Sequence, residues 1–515
     1  PRHEVMHYPF AGDPNPLVRL GVVEAAPRGG GRPVTTWVDL SRYRPEDEFL
    51  IVHVHWSPDG RLLFQVQDRE QRWLDLCAAD PQSGASRVLI RERSPAWVNR
   101  LEPPHWLADG SMIWQSERDG WRHLYHHAPD GALLRRLTGG DWDVQELHGV
   151  DEAGGWVYFS GARDGNVERH AYRAPLAGGA AQRLTEPGYS HAANFDPGFT
   201  RFFDTFSSVA TPTRVHLRRA DGELERVISA NEMKHLDELI LGRAELLRVP
   251  ARDGYLMDAL RILPADFDPA KSYPVLCKVY AGPGAPTVRN RWRGTRYMLD
   301  QYQAQQGMII WYCDPRSASA SGAISAWQAY GRLGASELSD IEDGLAWLAA
   351  QGGVDASRIG IQGGSYGGYI VCYTPTRSRT FAAGVAAYPV TDWREYDSIY
   401  TERYMRLPRN NTSGYELSSS LVSAGGLHGA LLLYHGMIDE NVHVRNTLRL
   451  AGELQKAGRP FELMLYPEDR HGIGRGARHE REMTQRFIER HLLAPSGMEP
   501  ADDAAGDAAQ EGAEP

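Results

Sequence analysis

Cysteine is scarce in this chain, and what there is lies scattered: Cys77, Cys277, Cys313 and Cys372 are the four in 515 residues. No two form a CxxC pair, which argues against a zinc site, and no metal or cofactor is expected. Buried free thiols are the expectation, with Cys277 and Cys313 in apolar, strand-like runs. Long apolar stretches are missing too. None approaches the ~18 residues of a membrane-crossing helix, so no membrane segment is expected. A basic surface is also absent. Formal net charge is −10. Six acidic residues and no basic one fall within 496–515, so removing those six charges leaves −4 for the rest. Nothing in this balance fits a nucleic-acid partner. No signal peptide is visible, and the first residue is Pro1 in place of Met, as in a processed chain or a fragment.

What is present sorts into three stretches. Residues 1–240 read as β structure, with short runs such as FLIVHVHW, SMIWQSE and GWVYFSG broken by the turns SPDG, LADG, APDG and DEAGG. These turns recur: WSPDG begins at Trp56, WLADG at Trp106, VDEAGG at Val150 and FDPGF at Phe195, in steps of 50, 44 and 45 residues, and RLT repeats at Arg136 and Arg183. A period near 45 with several strands per unit predicts a β-propeller, about five blades in this length. Residues 241–495 change to alternating strands and helices. YPVLCKVYAGP, GMIIWYCDPR, RIGIQGGS, AAGVAAYPV, ALLLYHGMID and FELMLYPE read as buried strands. Between them, Leu338, Ile341, Leu345 and Leu348 mark one face of a helix. Such alternation predicts a mostly parallel sheet covered by helices, with its site at the carboxyl ends of the strands. Residues 496–515 read as a disordered acidic tail.

One short stretch concentrates the chemistry. In RIGIQGGSYGGYI (358–370), Ser365 stands between two pairs of glycines. A flexible Gly/Ser loop would explain the glycines alone, but the flanks read as strand and helix. Strand, tight turn and helix around Gly363-x-Ser365-x-Gly367 is the context of a nucleophile elbow. A serine hydroxyl is a poor nucleophile at neutral pH and needs an imidazole to take its proton. The imidazole in turn needs a carboxylate on its other nitrogen. Two further strand ends offer these groups: LLLYHGMIDENVHV runs into Asp439, and LMLYPEDRHGIG into His471. Ser365, Asp439, His471 is the chain order of α/β-hydrolases. Asp439 is preferred to Glu440 because it ends the strand directly, and Asp469 reads as a loop residue.

On these residues the chain resembles the prolyl oligopeptidase family of serine peptidases, within it the dipeptidyl peptidase IV branch. GGSYGGY, HGMIDENVH and YPEDRHGI match in order and spacing, as do VYAGP and YDSIYTERYM, and the resemblance covers nearly the whole chain apart from the acidic tail. It implies a partial β-propeller followed by an α/β-hydrolase domain, peptide substrates cut after proline or alanine, and release of amino-terminal X-Pro dipeptides. A homodimer is compatible with it. By the same resemblance, the Tyr280 hydroxyl and the Tyr366 backbone N–H form the oxyanion hole. Val390, Trp393, Tyr396, Tyr400 and Val442 wall the S1 pocket, Asn441 binds the P2 carbonyl, and Arg100 faces the cleft. Tyr396 and Tyr400 also stand at helical spacing. Two departures matter. Gly364 occupies a position where the branch often has tryptophan. The paired glutamates that hold a substrate's free amino terminus have no counterpart, since the sequence contains no Glu-Glu dipeptide. The expectation is a chain lacking the amino-terminal part of its propeller, that anchor included. Prolyl oligopeptidase or acylaminoacyl peptidase activity is the alternative within the family, and a non-catalytic scaffold the alternative outside it.

Overall fold

The computed structural model describes residues 5–25, 33–44, 48–236 and 238–493. The acidic tail lies outside the described residues. The first half folds into four four-stranded antiparallel sheets in sequence, spanning 50–93, 105–136, 144–183 and 190–229, with a two-stranded sheet, Gly21–Val23 with Thr35–Trp37, ahead of them. Among the described residues four complete blade-like sheets stand, where the period predicts about five.

Each recurrent turn seen in the sequence joins the first two strands of its sheet. The chemistry is the same in three of them: an aspartate side chain accepts backbone N–H groups and a neighbouring residue takes positive φ. Asp109 accepts from Ser111 N (2.8 Å), Asp151 from Gly154 N (2.8 Å) and Asp196 from Thr200 N (2.7 Å). Gly110, Gly155 and Phe199 supply the left-handed backbone. The RLT repeat also has a physical cause. Thr138 Oγ1 accepts from Leu124 N and bonds His123 Nδ1; Thr185 Oγ1 accepts from Ala171 N and bonds His170 Nδ1. In both sheets the leucine before the threonine donates its N–H to the residue after the histidine, at 2.8 Å. The repeat thus closes the outer edge of a sheet onto its third strand.

The second half is one eight-stranded sheet. In spatial order its strands are Ala244–Pro250, Leu256–Ile262, Ile309–Cys313, Tyr273–Lys278, Val354–Gly364, Ala383–Ala387, Ala430–Gly436 and Glu462–Tyr466. The first two run antiparallel to their neighbours and the rest are parallel. The leading pair went unread in the sequence because its residues alternate with charge: Arg248 pairs with Asp258 and Arg261 with Glu245 across the hairpin. Helix Ala335–Ala350 packs Ile341, Leu345 and Leu348 into the core, with Leu338 half-buried beside them. Apolar clusters fill both faces of the sheet. All four cysteines are buried and free. Among the described residues no helix is long and apolar enough to cross a membrane.

The two halves meet at a hairpin. Residues 68–72 of the first blade-like sheet reach helix Ser398–Met405 of the second half. There Arg69 forms a two-pronged ion pair with Glu402 (2.5 and 2.6 Å), and Arg403 donates to Gln71 (2.6 Å). The segment 8–15 lies along the same helix. Gly12 N donates to Glu402 and Ser398 N to the Pro9 carbonyl.

Candidate active site

Five neighbouring parallel strands each end on a residue of interest: Tyr280, Ser365, Tyr388, Asp439 and His471 follow them within one loop. The backbone is strained at three of these ends. Ala281 (φ 66°), Ser365 (φ 58°) and Tyr388 (φ 35°) take left-handed φ without being glycine. Strain of this kind costs ~1–3 kcal/mol per residue and persists only where the surroundings hold it. At Ser365 the holders are visible. The serine stands at the first position before helix Tyr366–Tyr373, its side chain not bonded to the helix, and its N–H donates to the Ala387 carbonyl (3.0 Å). A Cβ on Gly363 would lie 2.7 Å from the Val279 oxygen, and one on Gly367 closer still to the same atom. The glycines let the turn pass under the neighbouring strand.

The elbow presents Ser365 Oγ to His471 Nε2 at 3.1 Å, and His471 Nδ1 meets Asp439 Oδ2 at 2.8 Å. Since Nδ1 donates to the carboxylate, Nε2 is the acceptor for the serine hydroxyl. Asp439 is buried at 5% exposure. Burial alone would raise its pKa. Hydrogen bonds from His435 and His471, with the charge of His471, outweigh that and lower it to about 2. The backbone N–H groups of Asn441 and Val442, each 2.9 Å from Oδ1, work in the same direction.

Two supporting residues escaped the sequence reading. His435, fully buried, donates through Nε2 to Asp439 Oδ2 (3.1 Å) and the Val442 carbonyl (2.8 Å), while Nδ1 is fixed by Thr447. A histidine four residues before the acid, at the strand's end, was the available signal. Asp469, read from sequence as a plain loop residue, accepts from the N–H groups of Gly474, Arg475 and Gly476 at 3.0, 2.7 and 3.0 Å. It thereby ties down the loop that carries His471.

Near the serine, neither the Tyr280 hydroxyl nor the Tyr366 N–H has a hydrogen-bond partner among the described residues. The latter is one of the N–H groups a helix start leaves free. Burial raises the Tyr280 pKa, so its hydroxyl keeps its proton. The Tyr366 side chain donates to the buried Glu337 (2.8 Å). Trp393 stacks on Tyr400 (5.9 Å, 18°) and meets Tyr396 edge-on, while Tyr366 links this group to Tyr280. Val390 and Val442 are buried in the same cluster. The helical spacing of Tyr396 and Tyr400 is not a shared helix. Tyr396 is extended (φ −123°, ψ 165°), and the helix starts only at Ser398, capped by Asp397. The two rings still touch, at 5.4 Å and 84°. Asn441 takes the Tyr396 hydroxyl on its side-chain oxygen (2.6 Å) and the Tyr8 hydroxyl on its carbonyl (2.7 Å). Arg100 is exposed on the blade side; its charge, after burial, helps lower the pKa of His53.

Volume alone would point elsewhere. A cavity of about 670 Å³ lies between blades and hydrolase sheet, lined by Arg122, Asp143, Arg169, Arg289 and Ser319, and holds none of Ser365, Asp439 and His471. A metal is not called for either. Glu186, His191 and Asp204 bring ligand-type atoms within 4.8 Å of one another. The Arg218 guanidinium already pairs with both carboxylates.

Comparison with known proteins bears on the family and the fold. Residues 1–213 match the family model described as the dipeptidyl peptidase IV N-terminal region, and residues 296–494 that of the prolyl oligopeptidase family. A probable dipeptidyl-aminopeptidase B of Coccidioides posadasii is 32% identical over 502 residues, covering 90% of this chain and 53% of that protein. Dipeptidyl peptidase 8 of Mus musculus is 29% identical over 546 residues, covering 92% and 61%. The chain thus spans little more than half the length of these curated relatives. The crystal structure of Porphyromonas gingivalis dipeptidyl peptidase 4 superposes with a TM-score of 0.87 at 30% identity, over 94% of this chain and 68% of the other. A putative dipeptidyl aminopeptidase IV from Bacteroides ovatus gives 0.87 at 27% identity, over 95% and 71%. With blade-like sheets followed by an α/β-hydrolase sheet, and with both halves matched in order, the chain belongs to the dipeptidyl peptidase IV branch of the prolyl oligopeptidase family.

Proposed function

We propose that these residues carry out serine-dependent cleavage of peptide bonds after proline or alanine, releasing X-Pro dipeptides from peptide amino termini. The observation that carries the reading is the Ser365–His471–Asp439 chain of hydrogen bonds, at 3.1 and 2.8 Å, on a strained elbow. Ser365 Oγ attacks the carbonyl carbon of the scissile bond as its proton passes to His471 Nε2. Asp439, held ionised, stabilises the resulting imidazolium. The oxyanion that develops would be met by the Tyr280 hydroxyl and the Tyr366 N–H, the two donors the family resemblance assigns to it. His471 returns the proton to the leaving amine, and an acyl-Ser365 remains. Water then attacks the ester, gives its proton to His471, and the serine recovers its hydrogen as the dipeptide leaves. Trp393, Tyr396 and Tyr400, packed with Val390 and Val442, form the apolar cluster that by the family resemblance would wall the S1 site, and such a wall suits a pyrrolidine ring and disfavours a charged side chain. Asn441, whose side-chain oxygen takes the Tyr396 hydroxyl, would bind the P2 carbonyl through its amide N–H.

The test is hydrolysis of Gly-Pro-4-nitroanilide, of its amino-acetylated form and of a Gly-Lys analogue. Cleavage of the proline substrates and not of the lysine one is expected. Failure to cleave any of them would contradict the reading. No adjacent glutamate pair exists in these 515 residues to hold an ammonium. The chain by itself should therefore discriminate little between the free and acetylated forms. Strong preference for the free amine would place the anchor within this sequence.

A further inference from the structure

The residue before the nucleophile is a glycine, and the room over it is filled from another strand. A Cβ built on Gly364 would lie 2.9 Å from the Tyr388 hydroxyl oxygen, 3.1 Å from its Cζ and 3.2 Å from its Cε2. The same tyrosine ring stands edge-on to His471, with centroids 4.7 Å apart and planes at 65°. Its backbone is fixed at left-handed φ, with the Tyr388 N–H donating to the Tyr434 carbonyl at 2.7 Å. The carbonyl of the residue before it, Ala387, receives the Ser365 N–H. Tyr388 is therefore tied to both ends of the reacting pair. Its hydroxyl has no hydrogen-bond partner among the described residues, so ring contacts, not hydrogen bonding, account for its place.

His471 needs such a neighbour. Its side chain keeps 21% of its surface exposed, and it stands on a loop. Asp439 holds one nitrogen, while the bond of the other to Ser365 breaks as the serine reacts, so the tilt of the ring has no lasting hydrogen-bond constraint. An aromatic edge against the imidazole holds that tilt. We propose that Tyr388 is a positioning residue for His471, setting the tilt of the imidazole toward Ser365, and that Gly364 is the socket its ring requires. This rests on the reading of Ser365 and His471 as the reacting pair. It also accounts for Gly364 in a position where the branch often has tryptophan: a large side chain at 364 and a tyrosine at 388 would claim the same space.

The experiment measures kcat, KM and melting temperature for Tyr388→Phe, Tyr388→Ala, Gly364→Trp and the Gly364→Trp/Tyr388→Ala pair in the full chain. Gly-Pro-4-nitroanilide is the substrate, and rates are taken per site titrated with a fluorophosphonate. Tyr388→Phe should stay within about twofold of wild type. Tyr388→Ala should lose roughly 10–10²-fold in kcat with KM nearly unchanged, the scale of a displaced catalytic group. Gly364→Trp alone should lose about 10²-fold, and the pair should recover at least about tenfold of that, as expected for residues sharing one space. An unchanged kcat in Tyr388→Ala, a Phe variant as poor as the Ala variant, or a pair no better than Gly364→Trp would each overturn the inference. Should Tyr388→Ala not fold, Tyr388→Leu gives the same reading. A wild type that neither reacts with the fluorophosphonate nor cleaves the substrate would instead overturn the proposed function, and this inference with it.

Discussion

At the turns and outer edges of the blade-like sheets, polar side chains turn back on their own sheet. His123 with Thr138 and His170 with Thr185 close the edges of two blades, and turn aspartates bond N–H groups a few residues away. In the parallel sheet, the polar side chains at the strand ends reach across strands. Ser365 meets His471 from a strand 106 residues away in sequence, and Asp439 joins them from a third. Both halves contain histidines bonded to hydroxyls, yet only one places such a pair on strained backbone next to free N–H and O–H donors. A buried His–Thr bond satisfied on both nitrogens is architecture. A His–Ser bond at a half-open strand end, with a carboxylate behind it, has somewhere to send a proton.

The contrast is broken most severely at the strand ends. His471→Ala and Ser365→Ala should each lower kcat on Gly-Pro-4-nitroanilide by roughly 10⁴-fold or more, with the double variant little worse than either, because the groups act as a unit. Rates within tenfold of wild type would undo the assignment. His123→Ala in the blade should leave kcat unchanged in the same assay.

The junction comes next. Arg69 and Glu402 join the halves on the helix that carries Tyr400, with Glu402 fully buried. Arg69→Met leaves that carboxylate without its partner, which costs ~3–5 kcal/mol for a buried pair. A lower melting temperature with raised KM for the proline substrate is expected. A fall in kcat with no change in stability would place Arg69 in the chemistry instead.

The donors to the oxyanion rank third. Tyr280→Phe should reduce kcat by roughly 10²–10³, about 2.7–4 kcal/mol, at constant KM. An unchanged kcat would return Tyr280 to the core.

How much of this was legible in the sequence depends on how local its cause was. The hairpin turns carried their own aspartates and glycines, so the blade period could be read directly. The elbow could be read because Gly363 and Gly367 answer a steric demand within five residues. The count of blades could not, since the period does not say how many strands each unit completes. Tyr396 and Tyr400 share a spacing that helices produce, but Asp397 caps the helix between them, so their contact is tertiary. His435, Asp469 and Tyr388 were missed for a related reason. Each touches a candidate-site residue or the loop that carries one, through a contact that only the folded loops create.

The smallest effect is electrostatic. The pKa of Asp439 is depressed from 3.8 to about 2 in the folded chain. A depressed carboxylate stabilises the fold while it is ionised. Its contribution, on the order of 2 kcal/mol, is therefore complete above about pH 4 and lost as pH falls toward 2. Acid unfolding of Asp439→Asn should show a shallower loss of stability across that window than wild type. Parallel curves would mean that the His435 and His471 hydrogen bonds do not favour the ionised form.

The central claim is that Ser365 is the one serine activated by the fold. Mass spectrometry after reaction with a fluorophosphonate tests it most directly. One adduct per chain is predicted, on Ser365, absent after His471→Ala, and formed in step with loss of activity on Gly-Pro-4-nitroanilide. An adduct on another residue, or full activity in a protein whose Ser365 is completely labelled, would contradict the account.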